Sequence, residues 1–108
     1  MPEAQQQHSS GRDPAVVDSE HYTVEIEDDR VRVLRVRYAP GAKSVMHYHP
    51  AGIAIALSDA RCRFSYPDGR SEDMEMKAGM VMPMPAGDHL PENLSDNSFE
   101  VILIELKG

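Results

Sequence analysis

His47-Tyr48-His49, followed by His89 about forty residues further on, is the group in this chain best suited to chemistry. Side chains at i and i+2 of a β-strand leave on the same face, roughly 6–7 Å apart along the strand. Imidazole is the commonest metal-binding side chain in proteins. A third histidine delivered by another strand would complete a three-nitrogen site with open coordination positions. Open positions belong to sites that perform chemistry, whereas structural sites are closed.

The elements that must position these residues are strands. From Glu20 onward, short alternating runs are separated by turn residues. His21–Ile26 alternates with period two and ends at Asp28-Asp29. Val31–Tyr38 is β-branched and interleaved with arginines. Its apolar phase changes from Val31 and Val33 to Leu34, Val36 and Tyr38, which predicts a bulge near Leu34 or a strand covered on both faces. Met46–His49 and Gly52–Leu57 are strand-like and separated by Pro50. Arg61–Tyr66 puts Cys62, Phe64 and Tyr66 on one face, and Pro67-Asp68-Gly69 predicts a hairpin into Arg70–Met76. Met80–Met84, His89–Glu92 and Phe99–Leu106 complete the series. No window shows a 3.6-residue period. Turn signals at roughly 8–12-residue intervals predict an all-β sandwich or barrel.

The last run, FEVILIEL, is apolar on both phases. Its second face therefore needs cover, inside the monomer or from another subunit, and we expect a homodimer. Residues 1–15 are polar and read as a flexible tail, leaving 16–108 as one domain.

The totals narrow the function. The 108 residues are 41% apolar, enough for one core. Eighteen acidic against eleven basic residues give a net charge of −7, which argues against nucleic acid or an anionic membrane surface as partner. The single cysteine forms no intrachain disulfide. With no apolar leader-like run and no stretch of about 18 apolar residues, a cytoplasmic location is expected.

Gly41, five residues, then His47-Tyr48-His49 resembles the first cupin motif. Gly79, five residues, Pro85-Ala86-Gly87, His89, three residues and Asn93 resembles the second. Together they cover about residues 31–106. The resemblance implies a single-domain cupin-type jelly-roll β-barrel. It also implies that His47, His49 and His89 hold one divalent transition metal: Fe, Zn, Ni or Mn. The closing LPENLSDNSFEVILIELKG is similar to small bacterial cupins, some of them linked to β-alanine degradation. The chain departs from the family in three places. The glutamate usual after the second histidine is replaced, since those positions hold Ile53 and Ala54. The glycine that closes the first motif is absent around Ala60. Only Asp88 separates Gly87 from His89.

Carried through in register, Ile53 shares the parity of His47 and His49 and forms an apolar wall beside the metal. Ile53, Ile55 and Met82 are then expected to line a substrate pocket. Three neutral imidazoles leave the charge of a divalent ion uncompensated, so the site favours a small anionic molecule. Zinc held by three histidines lowers the pKa of bound water to about 7. Ferrous iron with open positions binds substrate and O₂ together. The expected function is a metal-dependent enzyme, a dioxygenase among the options, acting on a small anionic metabolite. The alternative is a non-catalytic small-molecule binding or sensing cupin.

Other groups read more simply. Met80, Met82 and Met84 share a face, as do Met74 and Met76. Thioethers bind Cu(I), but they also fill irregular apolar interiors, the reading preferred here. Cys62 reads as a small buried hydrophobe. Glu92 and Glu105 offer general bases near the metal, but solvated or salt-bridged carboxylates are the preferred reading for each. Tyr48 faces away from the histidines. His8 and His21 have no partner spacing. Arg30, Arg32, Arg35 and Arg37 form a stripe suited to intersubunit salt bridges.

Overall fold

Period-two alternation and β-branched residues carry most of this chain into strands. The computed structural model describes residues 12–108. Among them are one short helix, α1 (Pro14–Val17), and nine strands: β1 (Tyr22–Glu27), β2 (Val31–Tyr38), β3 (His47–His49), β4 (Gly52–Ala56), β5 (Ala60–Ser65), β6 (Ser71–Met76), β7 (Val81–Met84), β8 (Gly87–Asn93) and β9 (Phe99–Leu106). They form two antiparallel sheets, ordered β1-β2-β9-β4-β7 and β3-β8-β5-β6. Leu34, Tyr38, Cys62, Met82, Phe99 and Leu103 are among the buried residues of a single core. This is the expected jelly roll. No helix among the described residues is long and apolar enough to cross a membrane.

Strand β9 is central to its sheet and pairs with β2 along its full length and with β4. Phe99, Val101, Leu103 and Glu105 are buried, while Ile102 and Ile104 are half-buried on the opposite phase. The doubly apolar sequence thus serves the core with one phase and the outer sheet face with the other. Gly52 is needed where β4 meets β9: a Cβ there would lie 2.0 Å from the Ile104 carbonyl oxygen. Gly69, at φ +91°, closes the β5–β6 hairpin in a backbone conformation that L side chains rarely adopt.

Two expectations need correction. The phase change read in Val31–Tyr38 is not a bulge at Leu34. The register shift lies in the partner strand, between Val24 and Ile26, and β2 itself pairs with β9 without interruption. Val31 and Val33 are simply apolar residues on the outer phase. The expected domain boundary at 15/16 falls inside α1. Residues 1–11 of the expected tail lie outside the described residues, but 12–15 are docked. Pro14 is fully buried, and Asp13 caps the helix by accepting from the Ala15 N–H at 3.0 Å. Composition alone marked this stretch as tail because its polar residues have partners distant in sequence.

Candidate metal centre

The site is built by the pairing of β3 with β8. His47 lies directly opposite His89 in that ladder, and His49 opposite Gly87. Cross-strand partners share a face, as do i and i+2 on one strand. All three imidazoles therefore point the same way. Their ring centroids are 4.7 Å apart for His47–His49 and 4.9 Å for each of the pairs with His89. One nitrogen from each lies within 4.8 Å of the others.

Hydrogen bonding decides which nitrogens those are. The Nδ1–H of His49 donates to Glu105 Oε2 at 2.8 Å. The Nδ1–H of His47 donates to the Val45 carbonyl at 2.9 Å, with Ser44 Oγ at 3.2 Å. Both rings are thereby fixed with the lone pair on Nε2. The Nε2 atoms of His47, His49 and His89 are all buried without a hydrogen-bond partner. Buried polar atoms are almost always paired, so three such orphans facing one another mark a place for a ligand. Burial, then the neighbouring imidazole of His49, holds the His47 pKa down at about 4. Burial, then His49 and His47, holds His89 at about 2. The His47 and His89 rings are therefore neutral at pH 7, the state in which imidazole binds metal. Donor type, orientation and protonation all fit a divalent transition metal.

His49 and His89 form part of the wall of a cavity of about 410 Å³. Ala54, Phe64, Met74 and Met82 are among the residues that make the rest of the wall largely apolar. Tyr66 and Arg70 belong to its rim; the Arg70 guanidinium sits 5.0 Å from the Tyr66 ring centroid and is solvent-exposed. Tyr38 also lines the cavity, and its hydroxyl is 2.8 Å from that of Tyr22. Burial raises both phenols well above their ordinary pKa, so both stay protonated. Burial likewise pushes the Cys62 thiol up to about 12, so it is an inert core group.

Of the expected pocket residues, Met82 lines the cavity. Ile53 and Ile55 do not. Ile53 is 39% exposed on the outer face, and Ala54 takes the inward position. The chain leaves the β3–β8 sheet at Pro50-Ala51 and enters the other sheet at Gly52, so parity does not carry across. Of the two positions at which the resemblance puts a glutamate, Ala54 is the one that lines the cavity.

Sequence reasoning named Glu105, whose salt-bridged reading holds, but missed the other polar groups behind the histidines. Glu105 Oε1 accepts from Arg32 Nε at 2.9 Å, and Arg32 grips Asp13 with both terminal nitrogens, at 2.8 and 2.7 Å. Ser44 Oγ donates to Asp18 Oδ2 at 2.6 Å, and Asp18 also accepts from His21 Nδ1 at 2.9 Å. A signal was present for one of these. Arg32 shares the inward phase of Leu34, Val36 and Tyr38, and Glu105 that of Phe99, Val101 and Leu103. They pair directly across β2–β9. A charge of each sign on buried phases announces an internal ion pair.

Comparisons agree with this architecture. No protein-family model and no curated protein matches the chain. Among solved structures it is similar to a cupin domain from Bordetella pertussis Tohama I, with 28% identity and a TM-score of 0.75, covering 81% of this chain and 92% of that one. A conserved protein with a double-stranded β-helix domain from Klebsiella pneumoniae matches with 20% identity and a TM-score of 0.65, covering 81% and 76%. A variant of Bacillus subtilis oxalate decarboxylase matches with 24% identity and a TM-score of 0.59, covering 75% of this chain and 22% of that one. The fold is a single-domain cupin, and it carries a three-histidine cluster able to hold a metal ion.

Proposed function

We propose that this cupin is a metal-dependent enzyme acting on a small anionic metabolite. The observation that carries the reading is the set of three imidazoles whose buried Nε2 atoms converge without partners. A bound divalent ion supplies a Lewis acid with open positions and, if redox-active, chemistry with O₂. The chain's own residues do the rest. Glu105 and the Val45 carbonyl hold the tautomers. The methionine and phenylalanine walls exclude water. Ala54 leaves out a carboxylate, so the charge of the ion is left for an anionic substrate to balance. The resemblance to small cupins linked to β-alanine degradation suggests a short carboxylate. The unpaired Cys62 fits a reducing cytoplasm.

The test is a thermal-shift screen of short carboxylates against metal-loaded and metal-free protein. Stabilisation that needs metal, followed by turnover, supports an enzyme. Metal-independent stabilisation without turnover supports the alternative, a non-catalytic binding or sensing cupin.

We also propose that a second copy covers the outer face of the five-stranded sheet. Ile26, Val33, Ile104, Ile53 and Pro83 pair successively across all five strands. Ile26 is 58% and Ile53 39% exposed. A two-fold axis would place this row against itself. In the monomer Arg35 pairs with Glu25 and Glu100 on its own chain, so intersubunit salt bridges are not part of this proposal.

A further inference from the structure

The two histidines of β3 are each backed by a polar chain, and both chains end on the same short N-terminal segment. From His49 the contacts run through Glu105 and Arg32 to Asp13. From His47 they run through Ser44 to Asp18. Between the two aspartates lies α1, whose Pro14 is fully buried. A third contact is made by the backbone. Strand β3 is an edge strand, and the Tyr48 N–H, between the two histidines, donates to the Arg12 carbonyl at 3.0 Å. A three-residue edge strand has little of its own to fix the direction of its side chains.

We propose that residues 12–18 are a positioning strap for the metal centre, with Asp13 and Asp18 as the positioning residues that orient His49 and His47 from outside the site. This inference rests on the reading that the three histidines bind metal. Asp13 acts at a distance because each link is directional. Its carboxylate takes both terminal nitrogens of Arg32, which turns Nε toward Glu105 Oε1 and leaves Oε2 for His49 Nδ1–H. Partners behind metal-binding histidines set ring orientation and ligand basicity, and their loss typically costs metal affinity. The same contacts make order in the N-terminal segment favourable when metal is bound, because each state stabilises the other.

The experiment uses full-length protein and Co²⁺ alone as probe. Asp13→Asn is the informative variant. Asparagine caps a helix about as well as aspartate, but it presents an amide donor and no charge to Arg32. We expect Asp13→Asn and Asp18→Asn each to weaken Co²⁺ binding about tenfold and to shift the visible Co²⁺ absorption bands. Glu25→Gln, which cuts the outer-face pair with Arg35, serves as control and should leave both unchanged. Melting of the metal-free proteins separates lost folding from lost positioning. Should Asp13→Asn fail to fold, Asp18→Asn decides by the same two readouts. A folded aspartate variant with wild-type Co²⁺ affinity and an unchanged spectrum overturns the strap. Wild-type protein that takes up no Co²⁺ overturns the metal reading and the strap together.

Discussion

Glu105 accepts the Nδ1 hydrogen of His49 at 2.8 Å, with both side chains almost wholly withdrawn from water. A buried carboxylate here has two duties. It fixes the ring so that Nε2 faces its two neighbours, and it balances the charge of Arg32 at 2.9 Å. Glu105→Gln keeps the shape and removes the charge. We expect metal affinity to fall about 10–100-fold. The metal-free protein should lose about 2–3 kcal/mol in urea unfolding, less than for a fully orphaned buried charge because Asp13 still holds Arg32. Unchanged affinity would show that His49 needs no such partner.

The exchange of inward position between Ile53 and Ala54 has its own test. Ala54→Glu places a carboxylate in the cavity wall, where it should strengthen Mn²⁺ binding relative to Zn²⁺ by adding a hard oxygen donor. Ile53→Glu should leave metal preference as it was. The reverse pattern in metal titrations would restore the register read from sequence.

Why that register was misread is instructive. The strands, turns and the His47/His49 pair were legible because alternation, Pro-Asp-Gly and the i, i+2 spacing are local, while His89 joined the pair through the likeness of the second motif. Parity, however, is a property of one strand in one sheet. Pro50-Ala51 passes the chain from the β3–β8 sheet to the β9–β4 sheet, and that crossing is not written locally. Arg32 and Glu105 were legible by phase; the salt-bridged reading of Glu105 holds, and only the assignment of Arg32 to an intersubunit stripe hid that the two pair inside the chain. Asp13 and Asp18 were not legible, because their partners lie 19 and 26 residues away.

Acid should destabilise the metal-free protein. Burial and neighbouring imidazoles hold His47 at about 4 and His89 at about 2, against about 6.5 in an unfolded chain. Between these values the unfolded chain binds more protons than the folded one. Stability is therefore fully present above about pH 6.5 and falls as pH drops toward 4, by up to about 2.7 kcal/mol per pH unit for the two groups. Urea midpoints between pH 7.5 and 4.5 read this directly. His89→Phe should flatten the slope, and a flat wild-type profile contradicts it.

For association, light scattering at micromolar concentration should return twice the 12.0 kDa chain mass. Ile104→Arg, at the middle of the outer apolar row, should return the single-chain mass with the fold intact. A monomeric wild type would remove the case for a second copy on this face.

Metal analysis of anaerobically purified full-length protein, wild type beside His89→Ala, tests the central claim most directly. The wild type should carry about one divalent transition metal per chain, as purified or after reconstitution, and the variant close to none, since two imidazoles on one strand leave the site too open to retain an ion. Equal metal in both proteins, or a wild type that retains none after exposure to Fe²⁺, Zn²⁺, Ni²⁺ and Mn²⁺, contradicts it.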